Sequence, residues 1–198
     1  MRRTDTNFLL LSGKVTYSKA WPPKNGNTFT NGTVKISPSL DPDNLIQIST
    51  KLTTGKSQDE INIFENIFSV GREITIVGGS FGGYEKVGVG WVFQIDAKLW
   101  DVSITKTNSN LAIVTGTIWK KGKAPGGLGL IIEILYKAMK EKNLKAKKAK
   151  ILLADELVPE WLSKGTTNGA GDRILVSGKC CSGNEGPYIK AESISQIQ

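Results

Sequence analysis

Aromatic rings and lysines occur together in the glycine-rich stretches of this chain. In the first half these are Trp21, Lys24, Phe81, Tyr84 and Lys86, with Lys35 and Lys51 on strand-like runs nearby. In the second half they are Trp119, Lys120, Lys121 and Lys123, then Tyr136 and Lys137, then Tyr188 and Lys190. A dense lysine run, centred on Lys145, Lys147 and Lys148, lies between them. Flat π-faces beside cations suit a polyanion with exposed bases. Lysines neutralise its phosphates, and each stacked base contributes roughly 1–3 kcal/mol whatever its identity. Every one of these features also has a plain structural reading. A lysine run can be a solvated face, and Phe81 and Tyr84 can pin a loop to its own domain. Trp91 and Phe93 alternate with Ile95, Ala97 and Leu99 and read as core.

Other chemistry is poorly supplied. No histidine occurs in the 198 residues, which removes Ser-His-Asp and Cys-His catalysis and histidine-bearing zinc sites. The two cysteines, Cys180 and Cys181, are adjacent. Two thiols cannot complete a four-ligand site, and neighbours make a strained disulfide, so both read as reduced. The segment 124–130, APGGLGL, lacks the Gly-Lys-Ser/Thr ending of a phosphate-cradling loop. The carboxylate pairs Asp59-Glu60 and Asp155-Glu156 are sequence neighbours, which point apart on a strand. A metal held by carboxylates alone is the one enzymatic route left. The expectation is a binding protein without cofactor or metal.

Charge is unevenly placed. Residues through 105 carry 11 basic and 10 acidic side chains, a balance of +1; from 106 onward there are 15 and 8, a balance of +7. A basic surface suits nucleic acid or an acidic membrane face, and it also serves solubility. No apolar run reaches the roughly 18–20 residues of a membrane span. The four-residue apolar run after MRRTDTN is too short for a signal peptide. A soluble chain that does not enter membranes is expected.

The elements that must position these residues repeat. Asn7, Leu10, Leu11, Gly13 and Val15 match Asn110, Ile113, Val114, Gly116 and Ile118 at a constant offset of 103. Gly71, Ile74 and Gly78 match Gly171, Ile174 and Gly178. A fixed offset over this many positions indicates an internal repeat. A mid-strand glycine weakens a strand unless the chain bends there, as a small barrel demands. Strands are expected at 7–17, 28–37 and 45–53, then from 71–79 into 91–104. The second copy is expected to hold strands at 110–119, 128–137 and 148–156. Its last pair, 173–194, reads as two short strands around a wide glycine-bearing loop. Residues 57–71 read as a helix, with Ser57 and Glu60 as a capping box and Gly71 as its stop. A short helix at 158–165 opens near Pro159. Residues 130–143 have helical spacing as well, and the repeat favours a strand there. Five strands with a helix between the third and fourth is the order of an OB-fold. The fold class expected is mainly β: two tandem OB-fold five-stranded barrels, at 1–105 and 106–198.

Four stretches, NFLLLSGKV, GREITIVGG, WLSKG and GDRILVSGKCCSGNEGPYIKAESI, together resemble the bacterial-type single-stranded DNA-binding protein family. The resemblance touches both halves. It implies coating of single-stranded DNA with little sequence preference during replication, recombination or repair, in a bacterial or phage-infected cytoplasm. RNA is the other ligand of that chemistry. The family's usual single domain per chain assembles into oligomers, which a tandem chain would replace covalently; a homodimer also fits. The ending ESISQIQ differs from the family's acidic tail, which recruits replication proteins. The alternative is an OB-fold interaction or assembly scaffold, favoured by the near-neutral first half.

Overall fold

The computed structural model describes residues 5–21, 29–38, 45–53, 62, 65–87, 90–96, 102–103, 107–136, 147–163, 170–183 and 186–197, and for some strand residues the backbone alone. The described strands are β1 (Asn7–Trp21), β2 (Phe29–Pro38), β3 (Ile46–Thr53), β4 (Glu73–Val87), β5 (Gly90–Asp96), β6 (Val102–Ser103), β7 (Asn110–Lys123), β8 (Leu130–Tyr136), β9 (Lys147–Leu153), β10 (Arg173–Gly183) and β11 (Gly186–Gln196). The chain is mainly β.

Contacts divide it into two compact units, one of residues 9–110 and one of residues 111–198 together with the N-terminal residues through Phe8. The sequence-based cut at 105/106 assigned those N-terminal residues to the first half. Their anchors explain the difference. Arg173 forms an ion pair of 2.7 Å with Asp5. The Thr115 amide donates to the Thr6 carbonyl at 2.9 Å, and the Thr6 amide donates to Thr115 Oγ1 at 2.6 Å.

In the unit of residues 111–198 five strands close on themselves. β7 pairs with β8, and β8 with β9. A short parallel contact joins β9 to β11, and β10 then pairs with both β11 and β7. This is a closed five-stranded barrel of the OB kind. In residues 9–110 the pairings are β1–β2, β2–β3, parallel β3–β5, β5–β4 and β4–β1.

Alternation fills the barrel core. Ile132, Ile134 and Tyr136 of β8 are buried, as are Ile151 and Leu153 of β9, Ile174 and Val176 of β10 and Ile189 of β11. Residues 130–136 are therefore a strand. Three β-branched isoleucines suit a pleated surface, and ladders on both edges override the helical spacing.

Mid-strand glycines sit where backbones come close. A Cβ on Gly116 would lie 2.8 Å from the Leu135 carbonyl oxygen and 3.1 Å from Ile134. A Cβ on Gly13 would overlap the Ser37 carbonyl and Ile36. Gly71 and Gly171 both take φ of +91°, which L side chains avoid. Each tethers a first strand. Gly71 donates to the Val15 carbonyl and Val15 to Arg72, both at 2.8 Å; Gly171 donates to Ile118 at 3.0 Å and Ile118 to Asp172 at 2.9 Å.

Two loop expectations change. The wide loop expected inside 173–194 is mostly ladder, with pairing continuing to Gly183 opposite Gly186. Gly178 is no turn residue; a Cβ there would overlap the Lys190 carbonyl, so the glycine permits close strand approach. Phe81 and Tyr84, expected in a loop, lie on the backbone of β4. A one-turn helix, Glu160–Ser163, falls between β9 and β10, with the Pro159 carbonyl accepting from Leu162 and Ser163. Of the helix expected at 57–71, residues 62 and 65–67 are helical; 57–61, 63 and 64 lie outside the described residues.

Gly116→Val should destabilise the chain by about 1–3 kcal/mol, the usual range for overpacking, measured by denaturant unfolding. Gly122 has open space where its Cβ would go, so Gly122→Val should leave the midpoint nearly unchanged. Equal effects at the two sites would contradict the close-approach account.

Candidate nucleic-acid interface

Strand parity sorts the side chains of the barrel. Residues 132, 134 and 136 of β8 point inward, so 131, 133 and 135 face out. Across the ladder, Leu135 stands opposite Lys148, Glu133 opposite Lys150, and Ile131 opposite Leu152. Leu152 neighbours Lys190 of β11, which stands opposite Lys179 of β10. Lys148 and Lys190 are exposed, Lys150 and Tyr188 half-buried. Residues directly opposed share a face. The outer face therefore carries lysines from three strands among Ile131, Leu135 and Leu152, with Tyr188 two residues before Lys190.

A slip in register extends this face onto β7. Ile118 pairs with Ile134, but Lys120 rather than Trp119 pairs with Glu133. One extra residue on β7 lets Trp119 and Lys120 both stand opposite Glu133, as in a β-bulge. Ile118 stays buried while Trp119 is 59% exposed. Lys120 and Lys123 are exposed beyond it. The turn that follows is held by glycines at positive φ, Gly126, Gly127 and Gly129.

The same slip occurs on β1, where Val15 pairs with Ile36 and Tyr17 with Lys35. Tyr17 is 39% exposed, and Lys35 Nζ lies 5.6 Å from its ring centroid. This cation–π pair escaped the sequence reading for Tyr17, although Tyr17 stands at the 103-residue offset from Lys120.

The expected residues fall into six groups. Trp119, Lys120, Lys148, Tyr188 and Lys190 share the outer face, with Lys123 further along β7. Lys35 joins Tyr17 on the other unit. Lys121 is engaged elsewhere, its Nζ donating at 3.0 Å to the Leu162 carbonyl at the end of the one-turn helix. Tyr136 is a correction: it is completely buried, because it shares the inward parity of Ile132 and Ile134. Its ring offers no face to a base, and the charge of Glu133 three residues earlier was the sequence signal for that parity. Trp21, Lys51, Phe81, Tyr84, Lys86 and Lys147 have described strand backbones, but their side chains lie outside the described residues. Lys24, Lys137 and Lys145 lie wholly outside them.

Lys150 belongs to the lysine run, and register places it on this face together with Lys179, which the sequence did not single out. Lys179 is partnered by Glu192 at 3.0 Å, an exposed pair. Neither cysteine is in a disulfide; Cys180 is buried and Cys181 half-buried opposite Tyr188. Burial, reinforced by the neighbouring Cys181, pushes the Cys180 thiol well above its ordinary range. That thiol is a core group. Among the described residues no three Cys, Asp or Glu side chains gather into a metal site, and no helix is long and apolar enough to cross a membrane.

No protein-family model matches the chain, and no curated protein matches it. Solved structures do. The wild-type single-stranded DNA-binding protein from Thermus aquaticus is 13% identical, with a TM-score of 0.65 over 99% of this chain and 95% of that one. A deletion mutant of the Thermus aquaticus protein gives 12% identity and a TM-score of 0.65 over 98% of this chain and 96% of that one. At such identities the likeness is one of fold, and it runs along nearly the whole of both chains.

Tyr136→Ala should cost about 3–5 kcal/mol of stability, as for other buried aromatics. Lys148→Ala should stay within about 0.5 kcal/mol, as expected of an exposed residue. Thermal melts of the two variants check the assignment of one to the core and the other to the face.

Proposed function

We propose that the chain is a tandem of two OB modules that binds single-stranded DNA with little sequence preference. The observation that carries this is the outer face of β8, β9 and β11, where lysines alternate with apolar side chains and Tyr188. Trp119 and Lys120 extend that face along β7. Lysines spaced along a sheet neutralise successive phosphates, while exposed rings accept any base. The tandem reading is supported by the constant offset, by the matching register slips on β1 and β7, and by the matched tethers at Gly71 and Gly171. The chain-long fold likeness to a single-stranded DNA-binding protein supports the ligand class.

In this reading the chain coats and protects exposed strands during replication, recombination or repair, in the cytoplasm, as one chain or a homodimer. Chemistry, with any cofactor, has no part in it. The residues that hold the strand are Trp119, Lys120, Lys123, Lys148, Tyr188 and Lys190 on the second module, with Lys35 beside Tyr17 on the first.

One observation favours a scaffold role for the first module. Tyr17, Leu45, Val70 and Val77, all within residues 9–110, are exposed, and that half of the sequence is near neutral. Apolar side chains on a near-neutral surface suit a protein partner.

Titrations against single-stranded DNA, single-stranded RNA and duplex test the proposal. Trp119→Ala or Tyr188→Ala should cost roughly 1–3 kcal/mol per stacked base, leave the salt slope intact and affect different base compositions alike. Lys148→Ala with Lys190→Ala should flatten the slope of log affinity against log salt by about 0.7 per lost phosphate contact. Equal affinity for duplex, or unchanged binding in all four variants, would refute this face as the site.

A further inference from the structure

The basic face has a carboxylate at its centre. Glu133 of β8 is flanked across both neighbouring ladders by lysines, Lys120 on β7 and Lys150 on β9. Directly opposed residues on one face are side-chain neighbours, so Glu133 is the acidic neighbour of a lysine on each adjoining strand. Glu133 is half-buried, with Ile131 and Leu135 on either side along the strand. The register slip at Trp119 is what brings Lys120 beside it, and it also sets the exposed indole next to this row. A strand stacked on Trp119 would carry its phosphates over Glu133.

The ladder position does not by itself call for a glutamate. At the corresponding ladder position of β2 stands Lys35, opposite Tyr17 after the same slip. One module thus pairs a ring with a lysine, and the other pairs a lysine with a glutamate. A face that only maximised attraction for phosphate would carry a neutral or basic residue at both places.

We infer that Glu133 is a built-in competitor for phosphate, which deepens the reading of this face as the single-strand site and rests on it. Its carboxylate and an incoming phosphate are alternative partners for the Lys120 and Lys150 ammonium groups. It also repels the phosphate directly. The consequence is weaker holding of the strand at this row. Lys148 and Lys190, which stand opposite Leu135 and beside Leu152, are left to phosphate alone. A coating protein gains from this because strands must be released when other enzymes need them.

The test compares the full chain with Glu133→Gln and Glu133→Lys by fluorescence titration with a thymidine oligonucleotide at several salt concentrations. Melting temperature is measured in parallel. Glu133→Gln frees one further phosphate contact. It should bind more tightly at low salt, with a slope of log affinity against log salt about 0.7 steeper. Its advantage should shrink about 2.6-fold for each fourfold rise in salt, as that slope requires. Glu133→Lys should go further in the same direction, and Lys35 in the first module shows that the position accepts lysine. It also serves as the test should the glutamine variant fail to fold. Glu156→Gln, an exposed change outside the strands, should alter neither quantity. Unchanged or weaker binding by folded Glu133 variants, while the unaltered chain binds, would overturn this inference alone. No single-strand binding by the unaltered chain would overturn the face as a site and this inference with it.

Discussion

In each unit one strand must hydrogen-bond along both of its edges. β7 gives one edge to β10 near its start and the other to β8 beyond the bend. β1 does the same with β4 and β2. A flat strand cannot turn from one partner to the other within so few residues, and the turning point is where backbones crowd most. Gly116 and Gly13 occupy those points, and a side chain at either would collide with a carbonyl on the next strand. Everything else follows from that bend. The far half of β7 leaves the core as an exposed arm, and the slip at Trp119 converts the arm into part of the outer face.

That face is built by register more than by any local motif. Lys120, Glu133 and Lys150 come from three strands and stand in one row because two ladders align them. Lys148 meets Leu135, and Lys190 meets Leu152, for the same reason. The apolar members matter for the ligand. In the proposed reading, a strand laid over Ile131, Leu135 and Leu152 would exclude water beside the lysines, which strengthens a phosphate contact relative to one in bulk solvent. In that reading the carboxylate of Glu133 works against the gain at a single row and leaves the others intact. Affinity is thus set by the balance along the face, with the aromatic contribution largely insensitive to salt.

Much of this was legible in the sequence. The residues Asn7, Gly13 and Val15, and Asn110, Gly116 and Ile118 at a constant offset from them, marked the strands β1 and β7. The internal offset favoured a strand at β8 over its helical spacing, and apolar β-branched runs punctuated by glycines located β10 and β11. Three expectations differ from the structure. Tyr136 was taken for a surface ring because it adjoins the lysine run, although its parity with Ile132 and Ile134 put it in the core. The division near Lys106 overlooked Asp5 and Thr6, whose partners Arg173 and Thr115 lie more than a hundred residues away. The loop drawn around Gly178 is strand, because glycine there serves close approach rather than turning. A one-residue slip such as that at Trp119 leaves no trace in periodicity, yet it decides that Lys120 rather than Lys121 joins the face.

The central claim is that single-stranded DNA lies across the outer face of the second module. Amide chemical-shift mapping of the isotopically labelled chain, titrated with a short thymidine oligonucleotide, tests it most directly. The account predicts that the largest shifts cluster on Trp119, Lys120, Glu133, Lys148, Lys150, Tyr188 and Lys190. Inward positions such as Val114 and Val176 should stay nearly still, and a duplex of equal length should reproduce little of the pattern. Shifts that avoid β8, β9 and β11, or that appear equally with duplex, would contradict it.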